Sequence, residues 1–393
     1  MRILILNTDY PQFLGSLYRD HPGLADATYS EQMAARNDSL FGVSDFYSRN
    51  FVAQGHVAKE IHVNNRLLQY AWARENGLTV TSPLAAGGPA SPLSSLITQA
   101  KRAARPLLGP LVSRMRGPGM PDWEARILDA QVESFRPDVI LNQEMTHIDN
   151  LTLRRYRDRG IFIMGQNAAI VPESVQFDAY GLMISSLPNL VEWFRRHGVK
   201  AELNRLAFEP HVLDLLGPPP ARDIDLSFVG SLSPEHTSRI TLLEHLARNT
   251  PLKVWGAGVE RLPKSSPLRA CHQGQAWGRD MYEVLRRSRV TLNHHIDLAE
   301  NWANNMRLYE ATGVGAMLLT DRKRNLAEIF EPEKEVAQYD TPEDCAAQIR
   351  RYLADEPSRA AIAAAGQAKT LQVHNYAART AEITALVERY RRP

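Results

Sequence analysis

The stretch of sequence that decides the fold is NNMRLYEATGVGAMLLTD, residues 304–321. Its first part spaces apolar side chains three and four residues apart, which predicts a helix over Ala303–Thr312. Gly313 and Gly315 interrupt that pattern, and the apolar run after them predicts a buried strand over Ala316–Thr320. A helix that leads directly into a buried strand is typical of an α/β domain with a parallel sheet.

The same alternation extends in both directions along the chain. Strands are predicted in the first half at Arg2–Asn7, Lys59–Val63, Asp138–Leu141, Ile161–Met164 and Leu182–Ser185, and in the second half at Asp225–Val229, Leu252–Trp255, Val290–Asn293 and Glu335–Tyr339. Helices are predicted at Trp123–Ser134, Leu151–Arg159, Leu190–His197, from Ser233, and at Asp280–Ser288, Pro342–Leu353, Pro357–His374 and Tyr376–Tyr390. The pattern predicts an α/β protein with two Rossmann-like domains and ligand-binding loops beyond the carboxyl ends of the strands.

A proline-rich segment separates the two halves. The run Leu216-Gly217-Pro218-Pro219-Pro220 lacks backbone donors and cannot be helical, so it reads as an extended linker. We therefore predict a first domain over 1–216, a linker over 217–222 and a second, ligand-binding domain over 223–375. A last helix over 376–393 has no strand after it and is expected to pack across the domain junction.

Composition excludes several classes of protein. The chain has 393 residues, more than one hydrophobic core usually supports, with 44% hydrophobic and 23% charged residues and a formal net charge of +2. This balance indicates neither disorder nor a nucleic-acid partner. Its two cysteines are too few for a disulfide framework or a zinc site, and with no signal-peptide core or membrane span in the sequence we expect a cytoplasmic protein.

One basic segment stands apart from this pattern. Residues 93–116 carry Lys101, Arg102, Arg105, Arg114 and Arg116 between apolar residues. Such a segment can lie on the anionic inner face of a membrane as a peripheral contact, and it can equally be an exposed helix pair and loop.

The loops after the strands of the second half carry the predicted ligand site. Gly230 and Ser231 follow the first of these strands, and His236 and Arg239 lie in the helix start expected after them, where free N–H groups can bind a diphosphate. Trp277 and Gly278 precede another helix and can present backbone groups to a nucleobase, with Asp280 as the helix cap. Gly256 and Gly258 form only half of a dinucleotide motif, and a tight turn is the simpler interpretation.

The most specific signal lies in the helix of residues 304–312. Arg307 and Glu310 are three residues apart and share a helix face. An arginine offers bidentate donors to a diphosphate, and a carboxylate one turn later can accept both hydroxyls of a ribose. Asn304 and Asn305 precede them and are assigned to the same ligand site. A local ion pair on a solvated helix is the alternative.

Metal and cofactor are not expected. His294 and His295 are adjacent on a predicted strand and point to opposite faces, so they make a poor chelating pair, and no third ligand is evident.

Candidate catalytic residues are sought in the loops of the first half among carboxylates and imidazoles, the side chains that can take up a proton. The candidates are Asp9, His147 and Asp178, with Glu144 beside them. Gly15, with Ser16, is expected in a loop that can approach a bound phosphate, and Gln166 and Asn167 follow a strand where they can bind hydroxyl groups of a ligand.

These motifs resemble the C-terminal domain of the CgeB-like (spore-maturation-type) glycosyltransferases, which are GT-B enzymes related to group 1 and family 4. The resemblance covers most of residues 224–380. Its motifs are the runs 305–321, 325–330 and 339–344, Ala365-Gly366, His374-Asn375-Tyr376 and Phe228-Val229-Gly230-Ser231. In the Glu-x7-Glu motif of family 4, Glu310 matches the second glutamate, which binds ribose. The first falls at Trp302, which is not acidic, and Glu300 and Asp297 are the acidic alternatives nearby.

The resemblance implies a GT-B fold with a cleft between an acceptor-side domain, residues 1–216, and a nucleotide-sugar-binding domain, residues 223–375. It implies transfer of a sugar from a nucleoside diphosphate sugar to a hydroxyl acceptor, and if that transfer inverts the configuration, a carboxylate or an imidazole of the first domain must take up the acceptor's proton. We expect this transfer to be independent of metal, with helix N-termini and Arg307 stabilising the departing diphosphate. Two alternatives stay open. They are a nucleotide-sugar epimerase of the same fold and a catalytically silent protein that binds nucleotide sugars.

Overall fold

The computed structural model describes residues 1–80, 120–172, 175–232, 237–295 and 299–391, and they form two parallel sheets. The first has the order β2-β1-β3-β4-β5-β6, and the second has the order β11-β10-β9-β7-β8. The strands are β1 (Arg2–Asn7), β2 (Val57–His62), β3 (Val139–Asn142), β4 (Phe162–Gln166), β5 (Leu182–Ser185), β6 (Ala201–Leu203), β7 (Ile224–Val229), β8 (Leu252–Trp255), β9 (Ser288–Asn293), β10 (Met317–Asp321) and β11 (Ala337–Tyr339). The predicted α/β class with two Rossmann-like lobes is confirmed.

Helices lie between the strands and cover the sheets. In the first lobe they are α1 (Pro11–Asp20), α2 (Tyr29–Asp38), α3 (Phe46–Ala53), α4 (Arg66–Glu75), α5 (Asp122–Phe135), α6 (Asn150–Asp158) and α7 (Pro188–Arg196). They continue with α8 (His211–Leu216), α9 (Thr237–Asn249), α10 (Leu268–Cys271), α11 (Gly278–Arg287), α12 (Arg307–Gly313), α13 (Pro342–Ala354), α14 (Glu356–Val373) and α15 (Tyr376–Arg391). The central strands are buried along most of their length because helices cover both faces of a parallel sheet.

The strand order creates one switch point in each sheet. β1 pairs with β2 on one side and β3 on the other, and β7 is flanked in the same way by β8 and β9. The loops after neighbouring strands diverge at such a point and leave a crevice, where ligands of open α/β sheets bind. The loop after β7, with the loops after its neighbours β8 and β9, is therefore the first place to look for a site.

The last helix ties the two lobes together. After the second sheet, α15 returns to the first lobe and packs on α3, where Gln54 donates to Ala377 O and Thr380 Oγ1 at 2.8 Å. Asn204 Nδ2 also donates to Glu382 Oε2 at 2.9 Å. The predicted packing of the C-terminal helices at the junction is thus confirmed. Residues 217–222 lie between α8 and β7, and the domain limits stay predictions.

Two local predictions differ from the structure. The expected loop through Gly15 is helix α1, because Pro11 stands at its first turn with a backbone angle suited to a helix. The helix expected from Ala303 begins only at Arg307, since Asn325 Oδ1 accepts from the Ala303 N–H at 2.6 Å and holds the preceding segment in a loop.

Residues 93–116 lie outside the described residues, so membrane contact through them stays a prediction. Among the helices that the structure describes, none combines the length and apolar character that crossing a bilayer requires.

Candidate nucleotide site between the lobes

A pocket of about 220 Å³ lies between the lobes at the switch point of the second sheet. The second lobe contributes loops after β7 and β8, the start of α11, and α12, while the first lobe contributes one loop. The lining residues are Leu40, Phe41, Gly42, Val229, Gly230, Ser231, Trp255, Gly256, Ala257, Ala276, Trp277, Gly278, Met281, Arg307 and Glu310. Six predicted donor residues line it, namely Gly230, Ser231, Trp277, Gly278, Arg307 and Glu310.

Arg307 and Glu310 form a buried pair on α12. Arg307 Nη1 lies 2.8 Å from Glu310 Oε2, and the two side chains are only 14% and 9% exposed. Arg307 Nη2 also donates to Val229 O at 3.2 Å, whereas its Nε is buried without a hydrogen-bond partner. Since both side chains line the pocket and are shielded from bulk water, the pair is not the solvated surface ion pair of the alternative interpretation.

The carboxylate of Glu310 is electrostatically unfavourable where it stands. Burial raises its pKa above the ordinary value, and the neighbouring Arg307 offsets this only in part. A buried carboxylate is stabilised by hydrogen bonds from donors that reach its oxygens. Vicinal hydroxyls of a bound ribose are donors of this kind.

The floor of the pocket is made of backbone. Gly230 N–H donates to Trp255 O, and Leu232 N–H donates to Ala257 O, both at 2.9 Å. A Cβ on Gly256 would lie 1.9 Å from Gly230 O, so only glycine lets the two loops meet. Gly256 therefore has a packing role in the site beyond that of a tight turn.

The first lobe reaches the pocket at the start of α11. Arg279 N–H donates to Ser39 O at 2.8 Å, and Phe41 and Trp277 have ring centroids 5.7 Å apart. Asp280 is not the cap of this helix, because Trp277 occupies the cap position and Asp280 lies in the first turn. Sequence reasoning missed the loop Leu40–Gly42, since it is far from α11 along the chain and only the fold brings the two together.

The other predicted donor residues lie around the pocket without lining it. Arg239 is buried against the loops, donating to Ser231 O at 3.3 Å and to His294 O at 3.1 Å. Asn305 Nδ2 donates to Asn293 Oδ1 at 2.6 Å, and half-buried Asn304 precedes it. His236 lies outside the described residues. Gly15 lines a separate groove of about 760 Å³ between α1 and the start of α11.

Trp302, at the position of the family's first glutamate, belongs to the seam between the lobes. Its ring packs on a first-lobe cluster that includes Met145 and Leu187, and Arg324 Cζ lies 3.4 Å from the ring centroid. Glu300, two residues earlier, accepts from Asn189 Nδ2 of the first lobe at 3.3 Å. Asp297 lies outside the described residues. Trp302 and Glu300 therefore contribute to the contact between the lobes.

Asp9 is buried and already paired. Its Oδ1 accepts from Arg36 Nη2 at 2.8 Å, and its Oδ2 lies 3.2 Å from His62 Nδ1. Burial works to raise its pKa, yet His62 and Arg36 together lower the pKa below the ordinary value. A carboxylate held charged and shielded in this way is an anchor for Arg36, not an available base.

His147 and Asp178 also have partners outside the pocket lining. His147 Nε2 lies 2.5 Å from Glu124 Oε1, and this hydrogen bond raises the pKa of the imidazole although partial burial opposes it. Asp178 is held against α6 by Arg154 and by Asn150 Nδ2, the latter at 2.7 Å, and the bond from Arg154 lowers its pKa. Neither residue lines the inter-lobe pocket.

The polar cluster after β9 and β10 is arranged around a carboxylate. His295 Nδ1 lies 2.6 Å from Asp321 Oδ1, while His294 Nδ1 lies 2.9 Å from Tyr339 Oη. Within the described ranges, no group of three or more His, Cys, Asp or Glu side chains is placed to hold a metal ion.

Comparison with known proteins covers both the sequence and the fold. Residues 239–385 match a family model described as "Glycosyl transferase-like". Comparison with curated proteins gives no match.

Solved structures match over the whole chain. A glycosyltransferase from Rickettsia africae has a TM-score of 0.56 at 9% identity, covering 99% of this chain and 98% of its own. Alr3699/HepE from Anabaena, in complex with UDP-glucose, has a TM-score of 0.57 at 12% identity, and the match covers 99% of this chain and 100% of that one. AviGT4, a glycosyltransferase involved in avilamycin A biosynthesis, has a TM-score of 0.55 at 13% identity, and the match covers 100% of this chain and 98% of that one. The chain therefore has the GT-B fold, and its residues 239–385 carry a glycosyl transferase-like domain.

Proposed function

We propose that the protein is a glycosyltransferase that moves a sugar from a nucleoside diphosphate sugar to a hydroxyl acceptor. The observation that carries this proposal is the buried pair of Arg307 and Glu310 beside a pocket floor made of backbone. A nucleoside diphosphate brings hydroxyl donors to the buried carboxylate of Glu310 and phosphate oxygens to guanidinium donors of Arg307 that the carboxylate leaves unused.

A uridine diphosphate sugar is the first donor to test. The Anabaena structure with the same fold contains UDP-glucose, and a second structure of that protein contains UDP. In the proposed complex, the ribose hydroxyls donate to Glu310 and the diphosphate lies near Arg307 and the loop Gly230–Ser231. The CgeB-like subtype, suggested by the sequence motifs, is part of the same proposal.

The proposed reaction places charge on the departing diphosphate. Fixed donors aimed at that charge act strongly in a shielded site, and Arg307, with one guanidinium nitrogen still lacking a partner, is suited to this task. We propose that this stabilisation needs no metal ion. The hydroxyl acceptor then enters from the side of the first lobe.

Binding of nucleotides is the first test. A ligand that binds only the folded state raises the melting temperature, so UDP, GDP, dTDP and CMP are compared by thermal shift. In Glu310→Gln a charge-assisted hydrogen bond, worth about 1.5–3 kcal/mol, becomes a neutral one worth about 0.5–1.5 kcal/mol, and the difference of about 1–1.5 kcal/mol corresponds to about 5–12-fold weaker binding.

Glu283→Gln is the matched control, because Glu283 also pairs with an arginine three residues away, Arg286, at 2.7 Å, but outside the pocket. The proposal fails if no nucleoside diphosphate shifts the melting temperature, or if Glu310→Gln and Glu283→Gln respond alike. Product analysis with and without acceptor then separates transfer from epimerisation and from silent binding. Turnover that survives chelator treatment supports the metal-free reaction, and loss of turnover contradicts it.

A further inference from the structure

The start of α11 is completed by the other lobe. The first N–H groups of a helix have no partner within the helix and must find one elsewhere. Here the side chain of Trp277 at the cap position makes no such bond, and the Arg279 N–H donates across the cleft to Ser39 O at 2.8 Å. The first lobe thus supplies part of a helix cap in the nucleotide pocket of the second.

Gly278 makes this approach possible. Its φ is +50°, and a Cβ at this position would lie 2.0 Å from Ser39 O and 2.9 Å from Phe41 N. Any side chain at 278 would therefore push the loop Ser39–Gly42 away from α11. The requirement for glycine comes from the contact between lobes as well as from the backbone angle.

Phe41 is held firmly as a wall of the pocket. Its ring stacks on Phe13 with centroids 4.0 Å apart and planes inclined by 8°. Behind Phe13, Arg36 Cζ lies 5.7 Å from the ring centroid, and Arg36 is itself fixed by Asp9. The buried ion pair therefore lies against the ring on which Phe41 stacks.

The backbone of the loop is also constrained. Leu40 has a φ of +57° and Ser44 one of +44°, in the left-handed region that residues other than glycine rarely adopt. Such angles persist only where the surroundings hold them, and they cluster at ligand sites. Ser44 Oγ donates to Asn37 O at 2.8 Å and contributes to that hold.

We infer that the loop Ser39–Gly42 is the nucleobase-selecting element of the donor site, an inference that rests on the proposed function. The cavity has a volume of about 220 Å³ and is lined at one end by aromatic rings. Where the two lobes meet, its walls are the rings of Phe41 and Trp277, and its floor is the closely packed backbone of Gly230 and Gly256. The site therefore takes the single ring of a pyrimidine and rejects the double ring of a purine, and Phe41 sets the limit.

Isothermal titration calorimetry with UDP and GDP tests whether Phe41 excludes the purine base. The wild-type protein is expected to bind UDP at least tenfold more tightly than GDP, and Phe41→Ala is expected to reduce that ratio at least tenfold by opening space for the larger base. Phe177→Ala removes a ring from another first-lobe cluster, outside the pocket lining, and should leave the ratio unchanged.

A second pair of variants tests the contact between lobes. Gly278→Ala adds both backbone strain and the clash with Ser39, whereas Gly274→Ala, with φ +99° and open space around its Cβ, adds strain alone. UDP affinity should fall at least tenfold in Gly278→Ala and stay within about threefold in Gly274→Ala.

The outcomes separate the two proposals. Absence of any nucleotide binding by the wild-type protein overturns the proposed function and this inference with it. UDP binding that is unaltered by Phe41→Ala and Gly278→Ala, or a wild-type preference for GDP, overturns this inference and leaves the proposed function standing.

Discussion

At the scale of single residues, Asp9 illustrates how burial changes what a carboxylate can do. Its side chain is fully buried and that of Arg36 is 3% exposed, and the two are 2.8 Å apart. Removing one partner leaves the other charge buried without compensation, so Asp9→Asn and Arg36→Met should each cost about 3–5 kcal/mol of unfolding free energy. Urea denaturation measures this, and the double variant should lose less than the sum of the two.

The dependence on pH has a definite sign. The folded state holds the pKa of Asp9 below that of the unfolded chain, which is about 4. The stabilisation that ionised Asp9 contributes to the folded state is therefore present above about pH 4, and it is lost as the pH falls towards the lower pKa of the folded state. As a control, Asp45→Asn breaks the more exposed ion pair with Arg49 and should lower the free energy of unfolding by only about 0–1 kcal/mol. If Asp9→Asn abolished turnover at full stability, Asp9 would instead be the catalytic base.

These residues mark what a sequence can predict about a site. Arg307 and Glu310 were predictable because their pairing is local, three residues apart on one helix. The pairing of Asp9 with Arg36 was not, because Arg36 belongs to a helix that sequence periodicity did not indicate. From the sequence alone, a carboxylate that is paired in the folded protein cannot be distinguished from one that stays free.

At the scale of elements, His374 joins α14 to α15 and should make stability depend on pH. It is 2% exposed, and its Nε2–H donates to Ile329 O at 2.8 Å. Burial lowers its pKa to about 4, against about 6.5 in an unfolded chain. The unfolded state takes up a proton first, so stability is complete above about pH 6.5 and falls by up to about 1.4 kcal/mol per pH unit towards pH 4.

The replacement His374→Gln should remove this slope from the unfolding free energy measured between pH 7 and pH 4, whatever its own cost at pH 7. His197→Gln, at an exposed position, is the control. Equal slopes for the wild-type protein and His374→Gln would show that His374 does not titrate in this range.

Elements were predicted well where packing and sequence pattern agree. The three C-terminal helices were placed to within one or two residues of α13, α14 and α15. By contrast, α2 was missed, although Thr28 and Glu31 form a reciprocal capping box that marks its start in the sequence. The start of α12 could not be predicted, because Asn325 fixes the preceding loop from a distant part of the chain.

At the scale of the whole molecule, the two lobes have a common core. The largest buried cluster includes Ile5 of the first sheet, Phe208 at the junction, Tyr282 of the second lobe and Ile383 of α15. Unfolding one lobe would expose apolar surface of the other, so scanning calorimetry should show a single transition for the intact chain. Deletion of residues 381–393 should split it in two, while a chain ending at Arg391 should keep one. Two transitions in the intact chain would contradict this view.

The overall architecture was predictable because it follows from two runs of alternating strands and helices. The closeness of the lobes was not, since it depends on contacts such as Arg279 with Ser39, whose partners belong to different domains. Local patterns specify each lobe, and only the packed molecule specifies the distance between them.

The return of α15 to the first lobe has a topological consequence. The backbone N–H of Arg2 donates to Asp138 Oδ2 at 2.8 Å, and the guanidinium of Arg391 lies 3.1 Å from the other oxygen of that carboxylate. Both ends of the described chain thus meet on one surface, as circular permutation requires. A short peptide joining them, with new termini opened within residues 217–222, would reverse the order of the lobes in the gene and keep the same three-dimensional arrangement.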